Sequence, residues 1–307
     1  MSLHRSVTAA FNVNGVKKEK GYYKTANGAK LIRKTTDTMQ QIIVKHQMTE
    51  HCIKNDYPWV ERYHLAKNGQ PYAPLDGGYY IMTDNITYPE ADFIKEDEFL
   101  KVVEFIALWH KTARGFSLAP NKPLTEVIKS QIEVLEATIK RVRKQSKWSD
   151  FDVLFLKNYP EYIEMVQKSL KMLDETSYIE RFNNARQQAH ICHGGLKEDV
   201  LRVGEHVHIT KFDQASVGYQ LNDLCDLIKR REKARANDPQ IPQIDINVVC
   251  LTYSKIHPLG VDEKDILNAM LLYPQAFVKI VKEYYQKKRT WTPVSMTNKM
   301  LQILGKL

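Results

Sequence analysis

Cysteine is scarce in this chain. Four residues among 307, Cys52, Cys192, Cys225 and Cys250, are scattered with no CxxC spacing. That argues against a cysteine zinc site or a disulfide framework and leaves reduced thiols packed as small apolar side chains. Long apolar runs are missing too. No stretch approaches the ~18 uncharged apolar residues of a membrane span, and the opening Met1 to Ser6 carries nothing like the core of a signal peptide. The expectation is a protein made, and retained, on the cytosolic side. No G-x-G-x-x-G phosphate loop precedes the first strand-like segment; Gly15 and Gly21 lie too far apart. Acidic residues are the minority, 36 against 45 Lys and Arg, for a net charge of +9. No DNA- or RNA-binding motif accompanies that excess, so nucleic acid is not an expected partner. The basic clusters at 17–18, 140–147, 229–235 and 287–289 sit on or beside expected helices and read as solvated faces.

What is present is an ordinary globular composition, 43% hydrophobic and 26% charged, long enough for one large domain or two lobes. The first third reads as β-rich. Tyr22 to Thr25 and Lys30 to Arg33 flank Ala26-Asn27-Gly28, and Tyr63 to Ala66 and Gln70 to Tyr72 flank Lys67-Asn68-Gly69. Asn-Gly between strand-like runs signals a tight hairpin. Another strand is expected at Tyr79 to Met82, and a helix between the hairpins from Met39 to Ile53. From Lys95 the period changes. Phe99, Val102, Val103, Ile106 and Trp109 form one helical face, and Ile128, Ile132, Leu135, Ile139 and Val142 form another. Further helices are expected at 155–173 (one or two, Pro160 starting the second), 177–188, 246–256, 262–272, 274–285 and 294–304, with a polar surface loop at 234–243.

One β-like island interrupts the helices: Ile191-Cys192-His193-Gly194-Gly195-Leu196-Lys197-Glu198-Asp199-Val200-Leu201, then Val207 to Asp213. A β lobe, a helical lobe and a loop–hairpin inside the second are laid out as in kinase-like phosphotransferases. The island resembles the H-G-D-x-x-x-x-N loop and D-F-D segment of the aminoglycoside- and choline-kinase-like superfamily. Ala107 to Phe116, Leu173 to Tyr178, and Leu272 to Phe277 with Tyr284, Tyr285 and Trp291 resemble, in order, patterns of the CotS family of bacterial endospore-coat proteins. The resemblance runs from about Gly21 to the end. It implies a two-lobed α+β, aminoglycoside-phosphotransferase-like fold. Residues 1–85 would form a small antiparallel β lobe, and 86–307 a larger helical lobe carrying the hairpin at 191–213.

The same resemblance places the catalytic positions. The base falls on Gly195, which has no side chain; the metal-binding Asn on Val200; the metal-binding Asp on Lys211, whose ammonium repels Mg²⁺. Scaffold positions are kept: His193 and Gly194 open the loop, Phe212 and Asp213 close the hairpin, and Asp223 matches an Asp that braces the loop. Lys211 is expected to pair with Asp199, Asp213 or Asp223. A nucleotide-contacting lysine falls on Arg33 or Lys34, depending on register, with Glu50 as its acidic partner. These losses lead to the expectation of a chain that is not an enzyme, with no cofactor, no metal and doubtful nucleotide binding. It would be a pseudokinase-like coat component or assembly factor acting on other spore-coat proteins. Synthesis in the mother-cell cytoplasm would be followed by deposition on the coat. The alternative is an active small-molecule phosphotransferase using a displaced carboxylate, Asp199 or Glu198 beside the lost base, with Asp213 left to bind a cation, so that turnover would be lost on changing Asp199 or Asp213 to Ala; a third is a metal-free ligand-binding module.

Overall fold

The structure, a computed structural model, describes residues 3–13, 16–17, 22–286 and 292–305. Gly15, Lys18, Gly21, the basic run 287–289 and Trp291 lie outside the described residues. The fold is two-lobed and kinase-like, a small antiparallel sheet followed by a larger helical part.

The sheet runs β1 (Val16–Lys17), β2 (Tyr22–Thr25), β3 (Gly28–Thr35), β6 (Gly78–Asp84), β4 (Tyr63–His64), with β5 (Ala73–Leu75) also pairing β6. Thr25 pairs Gly28, so the first turn is Ala26-Asn27, and Gly28 takes the positive φ of +91° that its missing Cβ permits. The second expected hairpin is corrected. Gln70 to Tyr72 is not a strand. Residues 66–70 form a turn closed by the Ala66 N–H on the Gln70 carbonyl, and the hairpin lies further on, β5 to β6 around Asp76-Gly77.

Alternation along β6 gives each face of the sheet its own cover. Ile81 turns toward α2 (Met39–Lys54), packing with Ile42, Tyr63 and Tyr72. Met82 turns the other way onto Val7 and Phe11 of the α1 segment (α1 is Leu3–Ala10), a helix the sequence reading missed. Thr38 and Gln41 start α2 with a reciprocal capping box. Its inward stripe is Ile42, Lys45, Met48, Thr49 and Cys52, apolar but for Thr49 and one buried lysine.

The helical lobe holds α3 (Glu96–Thr112), α4 (Leu124–Arg143), α5 (Asp150–Asp174), α6 (Tyr178–Gln187), α7 (Leu221–Asn237), α8 (Ile246–Ser254), α9 (Glu263–Leu272), α10 (Gln275–Tyr285) and α11 (Pro293–Ile303). The expected apolar faces of α3 and α4 are buried in one continuous core. Two expectations change. Pro160 lies inside the single helix α5, which a Ser149–Asp152 capping box begins; it forfeits one backbone bond without ending the helix. The helix α7 continues to Asn237 and takes up the start of the loop expected at 234–243. One member of the 229–235 basic cluster is not solvated: Arg231 is fully buried and donates to the Phe93 and Ile94 carbonyls ahead of α3. All four cysteines are free and buried.

Main-chain bonds join the lobes. Val60 bridges Ile209; the Ile209 N–H donates to the Trp59 carbonyl at 2.9 Å, and the Glu61 N–H to the Ile209 carbonyl at 3.0 Å.

Candidate functional site: a braced loop beside an interlobe cleft

The loop begins at β7 (Ile191–Cys192), which pairs with β10 (Ser216–Val217), and ends in the hairpin of β8 (Leu201–Val203) and β9 (Val207–Ile209). Its shape is fixed from below by α7. Asp223, fully buried in the first turn of that helix, accepts the His193 N–H at 2.7 Å and the Gly194 N–H at 2.9 Å. Its carboxylate also meets His110 Nε2 at 3.1 Å, and His110 Nδ1 meets the Tyr253 hydroxyl at 2.8 Å. Burial favours the neutral acid, but the bond and charge of His110, then the charge of His193 and the Gly194 N–H, outweigh it and hold Asp223 below the ordinary carboxylate range. Buried His193 donates from Nε2 to the Thr210 carbonyl at 2.9 Å; burial pushes its pKa down against the opposing charge of Asp223. Phe212 packs on it, ring centroids 5.3 Å apart.

Glycine is required at 194, where φ is +72° and a Cβ would lie 2.7 Å from the Gln214 carbonyl oxygen. At Gly195 the space for a side chain is taken by the Gln214 carboxamide, 3.3 Å from an ideal Cβ. Val200 is buried in the core. Lys211 sits in the left-handed region at φ +56° and donates from Nζ to Asp199 at 2.7 Å. Asp199 is also paired with Lys197 at 3.1 Å. Desolvation resists its ionisation, but the hydrogen bonds from Lys211 and then Lys197 prevail and lower its pKa.

Above the loop, a cleft of about 440 Å³ opens between the lobes, lined by Arg33, Lys45, Glu61, Lys211 and Asp213 among others. Strand alternation settles the register on β3. Arg33 faces the cleft, while Lys34 turns away to the Asp76 carbonyl at 3.2 Å. The acidic neighbour of Arg33 is Glu61, at 3.4 Å, not Glu50, which pairs with Arg62 at 2.6 Å. Glu61 also accepts the Lys211 N–H at 3.3 Å. Lys45 reaches across from α2, its ammonium on Asp37 at 2.8 Å and on Asp213. Lys45, Asp37, Glu61 and Gln214 are the site residues that sequence reading missed. Only Lys45 left a readable signal, a lysine on the apolar stripe of its helix. A second cavity, of about 620 Å³, borders the loop on its other side, lined by Gly194, Gln214, Asp226 and Lys229 among others.

Kinase-like folds imply Mg²⁺, which needs a near-octahedral set of oxygens at ~2.0–2.1 Å. The residues do not fit it. Among the described residues no three acidic, histidine or cysteine side chains converge, and Asp37 and Asp213 share the Lys45 ammonium.

The profile of the family described as "Spore coat putative kinase YutH" matches residues 9–306. The chain belongs to this family. It is 20% identical to spore coat protein S of Bacillus subtilis (strain 168) over 282 residues, covering 87% of this chain and 78% of that one. An aminoglycoside phosphotransferase from Alicyclobacillus acidocaldarius shares its fold at a TM-score of 0.83 and 14% identity, covering 100% of this chain and 92% of the other. An AMP-bound spectinomycin phosphotransferase does so at 0.65 and 11%, covering 97% and 93%.

These findings correct one expectation. A chain that is not an enzyme was inferred from Gly195, Val200 and Lys211, yet the family is described as a kinase family and the structures sharing the fold are phosphotransferases. The substitutions at Gly195, Val200 and Lys211 concern three positions only, and the cleft is lined by further carboxylates, Asp37, Glu61 and Asp84.

Proposed function

We propose that this member of the spore-coat kinase family is a coat-associated phosphotransferase that binds a nucleotide in the interlobe cleft and transfers a phosphoryl group to an acceptor hydroxyl. One observation carries the reading: Asp223 still holds the start of the loop, at His193 and Gly194, although the loop's own carboxylate is gone, and residues of the loop and its exit line two cavities. Asp213 lines the first cavity and the next residue, Gln214, lines the second. Donor and acceptor can therefore meet across a single turn of chain, the positioning on which phosphoryl transfer depends. Arg33 and Lys211 lie where they can contact phosphate oxygens. Asp213, 59% exposed at its side chain, is the displaced carboxylate placed to take the acceptor's proton as the bond from the donor's bridging oxygen breaks. Asp199 is the poorer candidate, because it lines neither of these two cavities. The coat setting follows the family; deposition there after synthesis in the mother cell, and contacts with other coat proteins, are part of the same reading.

The test is isothermal titration with ATP, followed by a phosphate-release assay with and without spore-coat extract as acceptor source. Binding and turnover are expected, with Arg33→Ala weakening binding and Asp213→Asn reducing turnover at least tenfold while binding persists. No nucleotide binding to the folded protein would end this reading.

A further inference from the structure

The carboxylates of the cleft already have a resident cation, and it belongs to the protein. Lys45 lies on the inward stripe of α2, its side chain only 9% exposed. Its ammonium contacts Asp37, at the approach to α2 in the sheet lobe, and Asp213, at the end of the loop–hairpin in the helical lobe. Two carboxylates converging from opposite lobes on one point are what a divalent ion would use, yet a fixed ammonium stands at that point. A second ammonium, that of Lys211, also borders the cleft, where it pairs with Asp199.

We infer that Lys45 replaces the divalent ion in this cleft, so that the protein takes phosphate-bearing ligands free of Mg²⁺ rather than as the metal complex. Desolvation disfavours the charged lysine, but the bonds and charges of Asp213 and Asp37 overcome it and raise its pKa, so the cation persists at every physiological pH. An Mg²⁺ ion entering here would have to dislodge that ammonium and accept the charge repulsion of Lys211 close by. The ammonium also does work a mobile ion cannot: it ties α2 to the loop before any ligand arrives. Removing it leaves Asp37 and Asp213 facing each other unpaired, which is the makings of a metal site.

The inference deepens the proposed function but its main test does not depend on it. Mn²⁺ binding is measured by electron paramagnetic resonance on the full chain, as a stand-in for Mg²⁺. Wild-type protein is expected to bind no Mn²⁺ at millimolar concentration. Lys45→Ala is expected to gain one Mn²⁺ per chain, and Lys45→Ala combined with Asp213→Asn to lose it. Stoichiometric Mn²⁺ binding by the wild type that disappears in Asp213→Asn overturns the inference, and so does a folded Lys45→Ala protein that gains no ion. Should that variant fail to fold, Lys45→Gln serves in its place, and the wild-type measurement stands by itself. In a second arm, ATP affinity is expected to be equal, within about twofold, in EDTA and in Mg²⁺. Affinity that rises tenfold with Mg²⁺ overturns the inference while leaving the proposed nucleotide site intact.

Discussion

Replacing Asp223 with alanine removes the group on which the loop's geometry rests. Three donors lose their acceptor at once: the His193 and Gly194 N–H groups, at 2.7 and 2.9 Å, and His110 at 3.1 Å. All of this happens around a carboxylate with no solvent exposure, so water does not readily substitute. A buried polar group left unpaired costs ~1–3 kcal/mol, and breaking a buried charged cluster by removing one partner costs ~3–5 kcal/mol. The expected loss is therefore about 3–5 kcal/mol, read as a fall in the urea midpoint or as ~6–10 °C in Tm at the usual ~2 °C per kcal/mol for a large domain. Asp223→Asn keeps one acceptor oxygen but turns an NH₂ toward a backbone N–H, so it should fall between wild type and alanine. The pH dependence carries a sign. The folded pKa of Asp223 is lowered, so its contribution is present above the unfolded value of ~3.9 and is lost as pH falls through the folded value. The gap between wild type and Asp223→Asn should accordingly be widest near neutrality and shrink below about pH 4. A Tm within 2 °C of wild type for Asp223→Ala would refute the claim that this carboxylate holds the loop.

Two further outcomes follow from the same region. Gly194→Ala must accept φ of +72° and a methyl 2.7 Å from the Gln214 carbonyl oxygen, so it should lose ~1–3 kcal/mol of stability in a denaturant titration. Gly195→Ala, meeting only the flexible Gln214 carboxamide at 3.3 Å, should lose less. Burial, then the charge of Asp223, pushes Asp226 up to about 6 from an ordinary 3.8. Its stabilising form is the neutral acid, so folding loses stability as pH rises toward and through 6. Asp226→Asn should be more stable than wild type at pH 8, by on the order of 2–3 kcal/mol at 1.36 kcal/mol per pH unit, with no gain at pH 3; equal melting curves at both values would refute it.

Much of the architecture was legible because periodicity is physical. The faces of α3 and α4 were readable from three- and four-residue spacing, and the fold class from the island at 191–213 between helices. The second hairpin was misread because Asn68-Gly69 is a turn signal without pairing information. A run such as Gln70 to Tyr72 becomes a strand only if a neighbour offers its edge, and β6 offers its edge to Ala73–Leu75 and to Tyr63–His64 instead. Pro160 was read as a boundary because local propensity says so; packing of α5 against α4 and α9 overrides it. The site was half legible. Motif positions could be assigned along the chain, but Lys45, Asp37 and Glu61 reach the cleft from segments about 150 to 175 residues away from it, and no spacing rule connects them. Reading absence at Gly195 and Lys211 as absence of chemistry failed for that reason.

The hydrogen bonds of Ile209 to Trp59 and Glu61 have a mechanical consequence. Many two-lobed enzymes admit their ligands by swinging apart about a linker. Here the hairpin that carries Lys211 to Asp213 is stitched, through its peptide groups, to the strand leading into β4, so such a swing would tear those bonds. The nucleotide proposed for the cleft would then have to exchange through its open mouth, by side-chain movement at Arg33 and Lys211, and the amide of Ile209 should resist deuterium exchange equally with and without ATP.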